Sequence, residues 1–258
     1  MSTFLFDDIV FGPVQSRRLG VSLGVNLLPT NSKVCTFDCI YCECGWTDKG
    51  ENVGVLPKRE QVVAKLESIL SERKQNNLPI DAITFAGNGE PTMHPNFAEI
   101  INDTVKLRQK YYPEARISVL SNATLIHRPK VFHALQLVDD NILKLDSGIE
   151  ETIRKINCPL GSFNLEKLIT DLEAFEGGLT LQTMFIRGEY EGASVDNTTK
   201  DEIEQWLNVL KRIKPNKIMV YTIARDTAAE GIIAVSKIEL EEIAEKARAL
   251  GFEVQVSA

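Results

Sequence analysis

The sequence is poor in basic residues relative to acidic ones, with 29 Lys and Arg against 36 Asp and Glu and a net charge of −7. Proteins that bind the phosphate backbone usually carry a positive surface, so this deficit disfavours nucleic-acid binding without excluding a local basic patch. Long apolar runs are also missing, and none approaches the roughly 20 residues that cross a bilayer. We therefore expect no membrane-spanning segment.

The first residues lack the basic start and apolar stretch of a secretory signal, because Asp7 and Asp8 stand where the apolar core would begin. This pattern predicts a cytoplasmic protein. Internal repeats, low-complexity segments and linkers rich in Gly, Pro or Ser are absent as well. With 258 residues, 43% of them hydrophobic, the chain is long enough to bury a large core. We predict a single domain over residues 1–258, with 1–20 as an N-terminal extension.

Cysteine is scarce outside one short stretch, since four of the five cysteines fall between Cys35 and Cys44. The first three, Cys35, Cys39 and Cys42, follow a C-x-x-x-C-x-x-C spacing. Thiolates are the natural ligands of iron–sulfur clusters, and three of them on one loop could hold a [4Fe-4S] cluster. Three ligands leave one iron open, as catalytic zinc sites leave an open position. The spacing therefore predicts a reactive cofactor.

Two alternatives use the same cysteines. A structural zinc site would take all four cysteines of the stretch, but zinc sites usually combine two separated pairs, and Cys42 and Cys44 are one residue apart. A ferredoxin-like electron carrier would take Cys44 or Cys158 as its fourth ligand. Both alternatives predict four protein ligands rather than three.

Short apolar segments alternate with amphipathic helical patterns from about residue 20 to the end. The segments typical of buried parallel strands are 21–28, 82–85, 117–120, 142–145, 179–186 and 218–223. Capping boxes at Thr199 with Glu202 and at Ser236 with Glu239 precede two of the helical patterns. Six strand–helix alternations predict an α/β fold, either a doubly wound sheet or a complete or partial barrel.

Polar residues follow these strands at their carboxyl ends, the edge where parallel α/β folds bind ligands. They are the cysteine stretch, residues 87–92, Ser121 with Asn122, Asp146 with Ser147, Arg187 and Arg225. We therefore expect all six strand ends to converge on one site.

The pattern continues with Tyr41, directly before the third spaced cysteine, and with the segment Gly87-Asn88-Gly89-Glu90-Pro91 one strand later. Together with the spaced cysteines, these residues resemble the radical S-adenosylmethionine (radical SAM) superfamily. The chain is most similar to small stand-alone members related to molybdenum cofactor biosynthesis protein A and wyosine-type tRNA modification enzymes, and residues 11–20 resemble the start of an iron–sulfur oxidoreductase subgroup. The resemblance implies a partial (β/α)6 TIM-like barrel. It also implies a [4Fe-4S] cluster on Cys35, Cys39 and Cys42, with SAM on the open iron. One electron would cleave SAM to methionine and a 5′-deoxyadenosyl radical, which abstracts hydrogen from a substrate.

The same resemblance implies which residues bind SAM. They are Tyr41, Gly87, Asn88, Gly89, Glu90, Ser121, Asn122, Asp146, Ser147 and Gln182. The glycines allow close backbone approach because they lack a Cβ, and Asn88 departs from the paired glycines of the family. Ordinary alternatives are loop packing for Tyr41, a strand-to-helix turn for residues 87–90, and an ion pair between Lys144 and Asp146, which share a strand face.

The substrate is harder to predict. Arg17, Arg18 and Arg225 are candidates for binding an anionic group, since guanidinium suits carboxylate and phosphate, although each could equally be a surface arginine. No second cysteine cluster follows Cys44, which disfavours enzymes with cysteine-bound auxiliary clusters. Three reaction classes remain: hydrogen abstraction from a small anionic metabolite, activation of a glycyl-radical partner protein, and modification of a nucleotide or tRNA base.

A one-electron donor such as a flavodoxin or ferredoxin is the expected partner. The competing hypothesis from a different class is a non-catalytic protein that carries electrons through a cluster or binds zinc structurally.

Overall fold

The computed structural model describes residues 4–16, 19–48 and 53–258, so Arg17 and Arg18 lie outside the described residues. The strands are β1 (Val10–Ser16), β2 (Gly20–Val25), β3 (Ala82–Phe85), β4 (Arg116–Ser121), β5 (Asp140–Lys144), β6 (Thr180–Met184), β7 (Ile186–Tyr190), β8 (Ala193–Asp196), β9 (Lys217–Tyr221), β10 (Ile232–Ala234) and β11 (Val254–Ser257). The helices are α1 (Arg59–Gln75), α2 (Phe97–Tyr111), α3 (Pro129–Leu135), α4 (Glu150–Asn157), α5 (Leu165–Glu173), α6 (Lys200–Ile213) and α7 (Lys237–Arg248), with a short 3-10 helix at Pro91–Met93. In the described ranges, no helix is long and apolar enough to cross a membrane.

Eight strands form one curved sheet in the order β1-β2-β3-β4-β5-β6-β9-β11. The strands from β2 to β11 run parallel, and β1 pairs antiparallel with β2 along one edge. Strand order follows chain order without the reversal that defines a doubly wound sheet. The prediction of a partial barrel is therefore confirmed, and its six predicted strands are β2, β3, β4, β5, β6 and β9.

Helices cover the outer face of the sheet and form the core with it. Leu66 of α1, Ile100 of α2 and Trp206 of α6 are almost fully buried in this layer. The predicted capping box of α7 is present, with Ser236 and Glu239 each bonding to the other's backbone N–H. Capping of this kind determines the residue at which a helix begins. The loop between that residue and the preceding strand is then free to form a site.

Sequence patterns did not predict three parts of the fold. The last strand of the large sheet, β11, pairs with β9 beyond the final predicted segment. The other two parts lie elsewhere in the chain. One is β1, an edge strand in which Pro13 is tolerated because an edge strand has one unpaired side. The other is a separate three-stranded antiparallel sheet, β10-β7-β8, which follows β6 and precedes α7 in the chain. Its strands are short and partly exposed, so they carry no continuous apolar pattern.

Candidate functional site

The loop with the spaced cysteines follows β2 and lies between two backbone partners. Val34 N–H donates to the Asn88 carbonyl over 2.9 Å, and Glu90 N–H donates to the Val34 carbonyl over 3.0 Å. On the other side, Ile40 N–H donates to the Ile156 carbonyl over 3.0 Å. The two sequence motifs of the predicted site are thus hydrogen-bonded to each other.

Glycine is required at two positions of the second motif. Gly89 has φ of +130°, and a Cβ there would lie 1.9 Å from the Val34 carbonyl oxygen. A Cβ on Gly87 would lie 2.3 Å from Asn26 Oδ1, the atom that accepts the Asn88 N–H over 3.1 Å. Side chains at either position would push this segment away from the cysteine loop.

A cavity of about 190 Å³, here called the cysteine cavity, lies between the loop and the carboxyl ends of the strands. The predicted residues in its wall are Cys35, Cys39, Cys42, Tyr41, Gly87, Gly89, Glu90, Ser121, Asn122 and Gln182. Lys33, Cys44, Lys144 and Tyr221 also line it. The polar groups after β2, β3 and β4 therefore converge as expected, whereas Asp146, Ser147, Arg187 and Arg225 do not line this cavity. Direct binding of SAM by the lining residues stays a prediction.

All five cysteines are unpaired. Asn122 Nδ2 lies 3.5 Å from Cys35 Sγ, and Asn157 Nδ2 lies 3.3 Å from Cys39 Sγ. Side-chain N–H groups of this kind stabilise negative charge on sulfur. In the part of the chain that the structure describes, no three Cys, His, Asp or Glu side chains converge as ligands of a single metal ion. The donor set fits a thiolate-bound iron–sulfur cluster, for which three thiolates and amide donors to sulfur are suitable groups.

The thiols differ in acidity. Burial raises the pKa of Cys35 to about 12 and raises the pKa of Cys39. A hydrogen bond from the Cys44 thiol, together with the charge and hydrogen bond of Lys33, lowers the pKa of Cys42 to about 6. The same bond raises the pKa of Cys44, because that thiol is the donor. The pKa shifts of Cys42 and Cys44 thus run in opposite directions.

Glu90 places a buried carboxylate at the cavity wall. Its Oε1 accepts hydrogen bonds from Thr92 N–H over 3.0 Å and from Ser121 Oγ over 2.8 Å. Its Oε2 accepts one from Asn122 N–H over 2.6 Å. Burial raises the pKa of Glu90 in spite of these bonds. A carboxylate held this firmly can orient a cationic or N–H-bearing group that enters the cavity.

Asp146 lies behind Tyr41 and is fully buried. Its Oδ2 accepts the Tyr41 hydroxyl and Asn157 Nδ2, the latter over 2.6 Å, and its Oδ1 accepts Met184 N–H over 2.9 Å. Lys144 Nζ lies 3.5 Å from Oδ2 and donates to the Tyr41 hydroxyl over 2.5 Å. The ion pair considered as the ordinary alternative is therefore present, and Asp146 fixes the Tyr41 ring.

Two other predicted residues direct their side chains away from the cysteine cavity. Ser147 Oγ donates to Glu202 Oε2 over 2.5 Å, so Glu202 does not complete the predicted capping box of α6. The Asn88 side chain accepts the Phe6 N–H over 2.8 Å and donates to the Phe6 carbonyl over 2.9 Å. Asn88 thus attaches the start of the described chain to the second motif.

A second cavity of about 600 Å³, here called the barrel cavity, shares Leu120 with the cysteine cavity. Phe4, Phe6 and Phe11 form one wall, with the rings of Phe6 and Phe11 stacked 3.7 Å apart. Phe11 can lie over β2 because Gly24 has no side chain, and a Cβ there would be 2.1 Å from the ring. The wall is mainly aromatic and aliphatic.

Arg225 lines the barrel cavity and is the described member of the three candidate arginines. Its guanidinium lies 2.8 Å from Glu43 Oε2, and both side chains are exposed. Asp226 lines the same cavity. This end of the cavity is therefore polar and carries charges of both signs.

Sequence reasoning did not assign Lys33, Asn157 or Tyr221 to the site. Lys33 and Tyr221 are adjacent to predicted elements, but their participation depends on contacts that no local pattern reveals. Cys158 lines a separate outer cavity, where the rings of Trp46 and Tyr190 stack 5.9 Å apart. Cys158 therefore lies outside the cysteine cavity.

Comparison with known proteins places these features in a family. The family model described as Radical SAM superfamily matches residues 32–164. A UPF0026 protein of Synechocystis is 32% identical over 216 residues, which cover 82% of this chain and 74% of that protein. A GTPase Obg of Brachyspira hyodysenteriae is 29% identical over 237 residues and 90% of this chain, but the chain spans only 32% of that protein's length.

Solved structures share the fold. A radical SAM methyltransferase from Sphaerobacter thermophilus matches with a TM-score of 0.66 at 13% identity, over 92% of this chain and 65% of that one. Streptococcus suis SuiB bound to S-adenosylmethionine matches with a TM-score of 0.63 at 14% identity, over 91% of this chain and 50% of that one. Together with the family model, these findings show that the chain is an enzyme of the radical SAM superfamily.

Proposed function

We propose that Cys35, Cys39 and Cys42 hold a [4Fe-4S] cluster that, when bound, supplies the electron for reductive cleavage of SAM to methionine and a 5′-deoxyadenosyl radical. The radical would abstract hydrogen from an organic substrate. The observation that carries this proposal is the convergence of the three thiols and the Glu90 segment on one cavity. Membership of the radical SAM superfamily supports the same chemistry.

In this proposal the cavity wall binds and orients SAM. The Glu90 carboxylate accepts a hydrogen bond from the SAM amino group, and the glycines of residues 87–90 let the ligand approach the backbone. Tyr41, Ser121, Asn122 and Gln182 contact the remainder. Asp146 acts through Tyr41, which it fixes by a hydrogen bond, rather than by touching SAM.

The substrate would bind in the barrel cavity, which adjoins the cysteine cavity at Leu120, a residue that lines both. Its aromatic wall suits a mainly apolar body, and Arg225 with Glu43 suits a polar group at the other end. A small metabolite of this kind fits better than a tRNA base or a glycyl-radical protein, which remain the alternatives. The chain would work in a reducing cytoplasm with a flavodoxin or ferredoxin as donor.

The test is anaerobic reconstitution with iron and sulfide, addition of SAM and a strong reductant, and chromatography for 5′-deoxyadenosine and methionine. We expect both products from the wild type and from Cys158→Ala, whose thiol lies outside the cysteine cavity. Cys39→Ala should give neither. A chain that binds zinc and assembles no cluster, or one whose products persist in Cys39→Ala, would refute the proposal.

A further inference from the structure

Lys33 is a buried lysine whose charge faces the cysteines. Its side chain is 2% exposed, and its Nζ donates to the Gly45 carbonyl over 2.8 Å and to Asp38 Oδ1 over 3.3 Å. An ammonium group has three N–H donors, so these two bonds leave one for the cavity side. There Lys33 shares the wall of the cysteine cavity with Cys35, Cys39 and Cys42.

The ion pair with Asp38 is oriented. Lys33 lines the cysteine cavity, whereas Asp38 lines the outer cavity beside Trp46 and also accepts the Thr47 N–H over 2.6 Å. Lys33 therefore lies on the side of the cysteine cavity, and Asp38 on the side of the outer cavity. Because the surroundings are buried, such a dipole is weakly screened.

The side chains around the spaced cysteines suit negatively charged sulfur. The buried ammonium of Lys33 and the three thiols lie in the wall of one cavity. Asn122 and Asn157 supply neutral donors to the sulfurs of Cys35 and Cys39. Two of the three spaced cysteines thus have a neutral side-chain N–H donor, and Lys33 adds a full positive charge to the same cavity wall.

We propose that the oriented Lys33–Asp38 pair raises the reduction potential of the cluster held by Cys35, Cys39 and Cys42, with Lys33 as a positioning residue that acts through its buried charge in the wall of the cavity. The inference rests on the proposed function. Adding one electron makes the cluster one charge unit more negative, so a nearby cation stabilises the reduced form more than the oxidised form. The lysine would thereby bring the cluster within reach of its electron donor.

Lys144 is the other lysine in the wall of the cysteine cavity, but it is less suited to a clean test. Its Nζ donates to the Tyr41 hydroxyl, and Asp146 lies 3.5 Å away. A substitution there would disturb Tyr41 as well as the charge. The hydrogen bonds of Lys33 go to Asp38 and Gly45, and neither residue is proposed to bind SAM.

The test measures the midpoint potential of the reconstituted protein without SAM, by redox titration followed with electron paramagnetic resonance. Lys33→Met should shift the potential to more negative values, and Lys33→Arg should restore it toward wild type. Asp38→Asn, which removes the anion and leaves the ammonium, should shift it to more positive values. Lys110→Met, in an exposed pair with Glu67, is the control and should leave it unchanged.

Opposite signs for the two partners would support the inference, because loss of packing alone would not produce them. No shift, or shifts of the same sign, in variants with a full iron and sulfide content would overturn it. If Lys33→Met fails to assemble a cluster, the potential of Asp38→Asn decides. A shift to more positive values supports the inference, and a shift to more negative values overturns it. A wild-type chain that takes up no iron refutes the proposed function, and is thereby distinguished from a failure of this inference.

Discussion

Cys44 lies beside the proposed ligands and is the residue on which the number of ligands depends. Its Sγ donates to the Gly87 carbonyl over 3.6 Å. We expect Cys44→Ser to keep the iron and sulfide content of the wild type, because three thiolates suffice for the cluster. Cys39→Ser should lose it. Iron and sulfide analysis with visible absorption checks this, and loss of the cluster in Cys44→Ser would favour a four-ligand electron carrier.

Glu90 permits a second test at the same scale. Glu90→Gln replaces one acceptor oxygen by an NH₂ group, which cannot accept the hydrogen bonds now made to the carboxylate. We expect SAM affinity to fall roughly 10-fold, the cost of one charged hydrogen bond of about 1.5 kcal/mol. Calorimetric titration of the reconstituted protein measures it, with Glu241→Gln on α7 as the control. Unchanged affinity would count against the assignment of this motif.

At the scale of elements, the contact between β1 and β2 depends on the absence of a side chain at Gly24. Gly24→Ala should destabilise the fold by about 1–3 kcal/mol, because the new methyl group would occupy the position of the Phe11 ring. Phe11→Ala in the same chain should remove this clash, so the double variant should lose less than the sum of the two single variants. Urea unfolding of the four proteins checks the expectation, and strictly additive losses would contradict it.

The amino ends of β4 and β5 are joined by Arg116 and Asp140. Burial opposes ionisation of Asp140, but the hydrogen bonds from Arg116 and Ser118 outweigh it and hold the pKa of Asp140 below its usual 3.8. A carboxyl group with a lowered pKa in the folded state binds protons more readily in the unfolded state. Its contribution to the free energy of unfolding is therefore fully present above the unfolded pKa and is lost as pH falls through the folded pKa.

We therefore expect Asp140→Asn to cost about 1 kcal/mol of unfolding free energy at neutral pH, with the difference shrinking below about pH 4. Denaturant unfolding at several pH values measures this. A difference that stays constant down to strongly acidic pH would show that the carboxylate charge is not its cause.

Local patterns predicted the elements that local forces determine. The alternation of apolar segments predicted all six central strands, and Ser236 with Glu239 predicted the start of α7. The same reasoning failed at Glu202, because its carboxylate bonds to Ser147, 55 residues away in sequence. Long-range hydrogen bonds of this kind leave no trace in local spacing.

Local spacing also predicted the site only in part. The cysteine spacing and residues 87–90 predicted where the strand ends would meet, and those residues do line one cavity. Asn88 could not be interpreted from its motif, because its side chain bonds to Phe6, 82 residues earlier. Asn157 belongs to the site through its contact with the Cys39 sulfur, and Lys33 through its place in the cavity wall; neither follows from local spacing.

For the molecule as a whole, loading of the cluster should act as a stabilising ligand. Binding to the folded state alone, at about 100 times the dissociation constant, contributes roughly 2.7 kcal/mol. We expect the reconstituted protein to melt roughly 5–10 °C above the metal-free protein under anaerobic conditions. Calorimetry checks this, with iron chelation reversing the gain and Cys39→Ser showing none. Equal melting temperatures with full iron content would contradict it.

The stacking of Trp46 on Tyr190 gives the protein a natural optical sensor. The sequence contains two tryptophans, and Trp46 is 41% exposed and two residues from Cys44, whereas Trp206 is buried and donates to Thr183 Oγ1 over 3.0 Å. Iron–sulfur clusters absorb broadly in the range where indole emits, and energy transfer to them falls steeply with distance. Loading of the cluster should therefore quench the red-shifted emission of exposed Trp46 more than the blue-shifted emission of buried Trp206. Assembly of the cofactor can thus be followed in real time without any attached dye.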